Sequence, residues 1–335
     1  MQKRSSIIDI AKGLLILLLL YGHTPLYFRQ FGVDDGFLRF IESSKILYSC
    51  FFMQSFFMIT GYCTTFSIPF RVFIAKNIKT LLVPAFLLSI VGSYFSALFY
   101  GSAITFQPFL ILGDWIRGNG PWFIIVLFFC KCIYWLINSL KSYMKLCAIM
   151  MLYILGLFLN IKGFVPNYLW HQHVLLMLPF IYIGNMLNFY IDIIKKYKSL
   201  IYTMLILYAI IMVIHFLYGI NVPVLDANIG IAYYMVPVHF MIVTSCTYLL
   251  FIISNRLMKC RVLINIGKYS LLFYLWNGTI HMKIIYMIMP LLDGLNEIAR
   301  VVLYLVSLLL CVFFLYTLSL IIYNTRFLKL LVGKF

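Results

Sequence analysis

A chain of 335 residues that is 64% apolar, 18% aromatic and only 10% charged is not a soluble globule, whose apolar share is nearer half and charged share nearer a quarter. Its apolar runs are long and continuous, without the two-residue alternation of a barrel strand. The expected fold is therefore all-α, a polytopic membrane protein with a bundle of about ten transmembrane helices in a single domain over residues 1–335. The net charge of +17 would suggest nucleic acid in a soluble protein, but here its distribution points elsewhere. Bases cluster in alternate connections, as cytoplasmic loops require. Nineteen of the 26 bases fall on one side, with only Asp9 and Asp192 for company, while the other side balances seven bases with seven acids. The partner this implies is the lipid bilayer rather than nucleic acid, with both termini cytoplasmic in an inner (plasma) membrane.

Taken in order, the first run (about 7–28) follows two bases like a signal peptide, yet lacks a small-x-small cleavage site, so it reads as an uncleaved span. Lys12 and His23 both lie in it. They are eleven residues apart, about three helical turns, which puts them within about 20° of one face and about 16 Å apart along the axis. Asp9 falls on the same stripe. The loop to residue 45 is rich in both charges and reads as surface. A second span (about 46–68) contains Thr60-Gly61, small enough for close helix approach. A basic segment, Arg71 to Lys79, then leads to Pro84, suited to the first turn of a new helix. Further spans are expected near 82–101, 121–138, 146–162, 173–190, 200–219, 229–253, 269–290 and 300–323. Pro223 and Asp226 lie in a loop, and no internal repeat is visible. The eight cysteines show no CxxC spacing and read as packing residues, not as a metal or disulfide framework; no metal is expected.

Ionisable groups inside hydrocarbon are costly enough to be presumed functional. An imidazole at His23 can accept and return a proton near neutral pH, or it can simply hydrogen-bond a neighbouring helix. Lys12 is near enough to the cytoplasmic surface to snorkel, and beside Asp9 it can equally serve a site. Arg71, Lys76 and Lys79 satisfy topology alone, and would equally hold the phosphates of an anionic cofactor. His239 reads as a core hydrogen-bonding residue. His171, His173, His215 and His281, with Trp122, Trp170 and Trp276, read as ordinary amphipathic rings near span ends.

These residues carry a resemblance. Asp9-Ile10-Ala11-Lys12-Gly13 followed by Tyr21-Gly22-His23 resembles the opening signature of the acyltransferase 3 family, integral membrane acyl-CoA-dependent O-acyltransferases. The family's base, ten residues, then histidine falls on Lys12 and His23. Phe57-Met58-Ile59-Thr60-Gly61-Tyr62, Lys76-Asn77-Ile78-Lys79 ahead of Pro84, Pro121-Trp122-Phe123, and Ile266-Gly267-Lys268-Tyr269-Ser270-Leu271 with Tyr274-Leu275 resemble later segments in the same order. Two departures stand out: lysine replaces the commoner arginine at position 12, keeping charge but losing the bidentate fork, and Asn277 stands where relatives often carry histidine, with His281 one turn on. The resemblance implies transfer of an acetyl (acyl) group from acetyl-CoA on the cytoplasmic side to a hydroxyl of a glycan or lipid-linked sugar. His23 would be catalytic base or transient acyl carrier. Lys12 and Asp9 would stand with it, and Lys76, Lys79 and Arg71 would hold the donor. The alternative from residues alone is a transporter or flippase of an anionic glycolipid or acylated small molecule.

Overall fold

The computed structural model of the protein describes residues 6–100, 108–162, 168–196, 198–218 and 236–332. Lys3, Arg4, Lys334 and the loop with Pro223 and Asp226 lie outside the described residues, as do the side chains of Lys162, Asp192, Lys195, Lys196, Lys198 and His215. The described residues are helical with no strand. In chain order the helices are α1 (Ser6–Arg29), α2 (Gly36–Ser44), α3 (Ile46–Ser49), α4 (Phe52–Cys63) and α5 (Phe70–Asn77). A π-helical turn (Ile78–Leu82) then leads to α6 (Val83–Tyr100), α7 (Pro108–Arg117), α8 (Trp122–Asn138) and α9 (Ser142–Lys162). After a 3₁₀ turn (Tyr168–Trp170) come α10 (His171–Lys196), α11 (Lys198–Tyr218), α12 (Val236–Arg256), α13 (Arg261–Lys268), α14 (Ser270–Leu292) and α15 (Glu297–Asn324).

Among the described residues, six stretches are long and apolar enough to cross a membrane, or seven if α7 and α8, bent by 66°, form one broken span. The count of about ten expected from the sequence is not reached by that measure. Helix α14 shows why: at 23 residues it is long enough, but Asn277, His281 and Lys283 sit within two turns of one another and dilute its apolarity.

The chain divides into two compact units. Unit one is Met1–Lys45, Ile78–Gly113 and Leu257–Phe335; unit two is Ile46–Asn77 and Asp114–Arg256.

Unit one is built on α1, which packs against α13 and α14. Two glycines set its closest crossing. A Cβ at Gly13 would lie 2.5 Å from the Leu263 carbonyl oxygen, and one at Gly267 would overlap the Asp9 carbonyl. In lipid, such close backbone approach replaces the hydrophobic drive that water supplies to soluble helices. At the far end of α1, Tyr27 and Phe28 join Leu38 and Ile41 of α2, Ile285, Ile288 and Leu292 of α14, and Tyr304 of α15 in one apolar cluster. The stretch expected as surface loop before residue 45 thus contains a helix. Asp35 caps it by accepting from the Leu38 N–H at 3.1 Å, and the buried pair Leu38 and Ile41, three residues apart, gives it an inner face. Tyr304 also donates to Asp35. Arg29 pairs with Glu42 at 2.5 Å and with Asp34 at 3.2 Å on the exposed side.

Unit two repeats the device with other helices. Gly61 of α4 would meet the Ile181 carbonyl of α10 if it carried a Cβ, and Gly184 of α10 would meet the Met58 carbonyl of α4. The close approach anticipated at Thr60-Gly61 is this crossing. Phe123, at the start of α8, fits edge-on to both Phe56 and Phe57 at 5.3 Å. Several polar side chains pair within the unit: Ser55 with Thr247 at 2.7 Å, Tyr134 with Asn185 at 3.0 Å, and Lys131 with Asn77. All eight cysteines are free thiols.

Candidate functional site

Local helix chemistry positions His23. Pro25, inside α1, contributes no N–H and crowds the carbonyl one turn earlier, so the backbone ladder is weakest there. Two side chains bond back to that turn: Thr24 Oγ1 donates to the Leu20 carbonyl at 3.0 Å, and His23 Nδ1 meets the Leu19 carbonyl at 2.8 Å. A carbonyl only accepts, so a neutral His23 carries its proton on Nδ1 and keeps its lone pair on Nε2. One hydrogen bond therefore fixes both the ring's orientation and which nitrogen is basic.

The next turn of α1 brings Tyr27, stacked on His23 with centroids 5.9 Å apart. Its hydroxyl donates to Asn277 Oδ1 at 2.5 Å, and Asn277 Nδ2 donates to the Tyr274 carbonyl at 2.6 Å, which fixes the amide's direction. His281, one turn further along α14 and fully buried, sets its ring edge-on to Tyr27 at 5.4 Å. Ser307 of α15 gives its proton to the Tyr304 carbonyl at 2.7 Å. It therefore accepts from His281 Nε2 across 3.4 Å. His281 Nδ1 is left as a buried lone pair with no hydrogen-bond partner among the described residues. The departure noted at Asn277 thus has a structural role: the amide receives the tyrosine that lies between two imidazoles. Above this cluster α2 is pinned to α1 by Tyr21, whose hydroxyl donates to Ser44 Oγ at 2.9 Å because the serine's own proton goes to Ile41.

The other sequence-predicted residues divide into two groups. Lys12 and Asp9 share α1 with His23, and the unbroken helix keeps them about 16 and 21 Å from it along the axis. Lys12 is half-buried, while Asp9 is only 1% exposed, closed in where α13 crosses. Arg71 and Lys76 lie exposed on α5 in unit two; Lys79 lies exposed in the π-helical turn of unit one. The structure brings His23 together with Tyr27, Asn277, His281 and Ser307. It does not bring Lys12 or Asp9 to the same reacting atom. Tyr27 was missed in the sequence, although its place four residues after His23 was a usable signal.

Three ring assignments change. Trp276 is not an interface aromatic: it is 4% exposed, and its Nε1 donates to the Leu88 carbonyl at 2.8 Å. His281 is a core residue rather than a span-end ring. His239, expected to hydrogen-bond in the core, packs edge-on against Phe180 at 5.9 Å, and its Nε2 has no partner among the described residues. In unit two, His173 sits against Trp122 at 5.5 Å and Trp170 at 5.0 Å.

A helical membrane protein in which a polar cluster presents an oriented imidazole base has the make-up of a membrane-embedded group-transfer enzyme. The family model of an acyltransferase domain, acyltransferase 3, matches residues 6–322, nearly the whole chain. The chain belongs to that family and is a membrane acyltransferase. No curated protein and no solved structure matched it.

Proposed function

We propose that the protein is an O-acetyltransferase of the inner (plasma) membrane. It would take acetyl from acetyl-CoA on the cytoplasmic side, where both termini lie, and pass it to a hydroxyl of a cell-surface glycan or lipid-linked sugar. The observation that carries this reading is the 2.8 Å bond from His23 Nδ1 to Leu19. It leaves Nε2 as the lone-pair nitrogen, and its carbonyl stabilises the positive charge that forms when Nε2 is protonated. Nε2 takes the proton of the acceptor hydroxyl as that oxygen attacks the thioester carbonyl. The C–S bond then breaks, and the imidazolium returns the proton to the leaving thiolate. The same nitrogen can instead attack the thioester itself and carry the acetyl group before the acceptor receives it. Tyr27, held by Asn277, fixes the face that the imidazole presents. Arg71, Lys76 and Lys79 suit the donor's phosphates by charge and exposure, and Lys12 suits them by charge and by its place on the His23 stripe. Asp9, one turn before Lys12 on the same stripe, would act with it.

The test is mass spectrometry of surface glycans from cells with and without the gene. An acetyl mass should disappear with the gene, return with the unmodified protein, and stay absent with His23→Ala at equal protein abundance. Glycans that keep their acetyl groups with His23→Ala would reject the assignment.

A further inference from the structure

The cluster around Tyr27 holds one group that the acyltransfer reading leaves unused. His281 is fully buried, and its Nε2–H is spent on Ser307 Oγ at 3.4 Å. Its Nδ1 lone pair is therefore enclosed with no hydrogen-bond partner among the described residues. A buried acceptor of this kind costs stability and calls for a donor that arrives with a ligand. His239 is also short of a partner, but phenylalanine rings enclose it; in His281 the bond to Ser307 fixes the tautomer, as Leu19 fixes that of His23. The sequence brings these two imidazoles together through one small residue. A Cβ on Gly278 would come within 3.3 Å of the Tyr27 hydroxyl, so only its absence lets Tyr27 reach Asn277 so closely. The tyrosine ring then stacks on His23 at 5.9 Å and meets His281 edge-on at 5.4 Å. One tyrosine ring lies between the two bases.

One of the two routes open to His23 needs a second lone pair. When Nε2 carries the acetyl group, Nδ1 still holds the proton bonded to Leu19, so the ring is an acetylimidazolium with no lone pair left. It is readily attacked, but it takes no proton from the hydroxyl that attacks it. Of the groups around Tyr27, the Asn277 amide is not basic, and the tyrosine and serine hydroxyls are weak bases. The imidazole of His281 is the one that accepts a proton near neutral pH.

We propose that His281 is the base of the second half of the reaction, and that transfer therefore runs through acetyl-His23. This rests on the acyltransfer reading and chooses between its two routes. His23 Nε2 attacks the thioester carbonyl, the C–S bond breaks, and the thiolate leaves to be protonated by solvent. The acceptor oxygen then attacks the acetyl carbon, the C–N bond breaks, and the hydroxyl proton passes to His281 Nδ1. His23 regains its lone pair, and His281 returns the proton to solvent, so one proton is taken up and one is given back. The burial of His281 suits this order, because a base shut away from bulk water favours the acceptor over hydrolysis of acetyl-His23.

Mixing the purified full chain with acetyl-CoA alone separates the two halves. The unmodified protein should release CoA in a burst of about one per chain and keep an acetyl group on the peptide bearing His23, read by mass spectrometry. His281→Gln keeps a donor for Ser307 but has no basic nitrogen. It should release the same burst, yet lower surface-glycan acetylation in cells by at least about 100-fold. Ser307→Ala, which frees the tautomer of His281 with little change in volume, should show the same split with a fall of about fivefold to tenfold. Glycan acetylation by His281→Gln within about twofold of normal overturns the proposal. So does loss of the burst together with transfer at an unchanged unfolding midpoint, since His281 would then serve the site as a whole. Should His281→Gln fail to fold, Ser307→Ala decides by the same two readings. An unmodified protein that acetylates glycans but shows no burst and keeps no acetyl group breaks this inference alone and leaves direct transfer. Cells whose glycans carry no gene-dependent acetyl group break the acyltransfer reading.

Discussion

Both units close their tightest helix pair in the same way, with a glycine on each helix facing the other's carbonyl: Gly13 and Gly267 in unit one, Gly61 and Gly184 in unit two. Both also bury imidazoles. They differ in the company those imidazoles keep. In unit one, His23 and His281 flank a tyrosine: His23 is tied to a carbonyl of its own helix, His281 to a hydroxyl of α15, and the tyrosine between them to an amide of α14. In unit two, His239 is enclosed by phenylalanine rings. A buried polar atom without a partner costs stability and does no proton transfer, whereas an oriented imidazole with a fixed tautomer is equipped for it. The common glycine crossings are architecture; the bonds around Tyr27 are what distinguish His23 from His239.

The contrast is most strongly tested where ring and polar partner are lost together. Tyr27→Ala should cost about 3–5 kcal/mol of stability, as for other buried aromatics. His239→Leu should be neutral or stabilising by up to about 1 kcal/mol, because it removes an unpartnered acceptor. Thermal unfolding in detergent would show both, and a large loss from His239→Leu would mean that unit two also holds a functional polar site.

Next in size are the crossings. Gly267→Leu and Gly184→Leu should each destabilise by about 1–3 kcal/mol, the cost of overpacking, since each Cβ points into a facing carbonyl. If one is tolerated and the other is not, the two units are not built alike. Smaller still is Tyr27→Phe, which keeps the packing and removes the bond to Asn277. Acetyl transfer should fall by about fivefold to tenfold, the scale of one hydrogen bond, with unchanged donor KM; an unchanged rate would remove Tyr27 from the site. Smallest is Glu42→Gln, which removes an exposed ion pair with Arg29. Because the pair is exposed and screened, the unfolding midpoint should hardly move at low salt and not at all at high salt.

Much of this could be read from the sequence wherever the signal is local. The span around Lys12 and His23, the close approach at Gly61 and the family resemblance all sit within short windows, whereas the start expected at Pro84 lies inside a helix that runs unbroken from Phe70 to Leu98. What could not be read is pairing at long range. Asn277 accepts a hydrogen bond from a tyrosine 250 positions earlier, and Gly267 meets the backbone of Asp9; neither partner leaves a trace in its own neighbourhood. Helix α2 was hidden for a different reason: its outer face is so charged that the buried pair Leu38 and Ile41 was outweighed. Trp276 was misread because indoles favour membrane interfaces, and only the carbonyl of Leu88 on another helix explains its burial.

The measurement closest to the central claim is the initial rate of acetyl-CoA consumption by proteoliposomes of the unmodified protein and of His23→Ala. If His23 Nε2 is the working base, the rate falls by at least about 100-fold while the unfolding midpoint stays put. Rates that agree within about twofold would contradict the account, because no general base of that importance could then reside at His23.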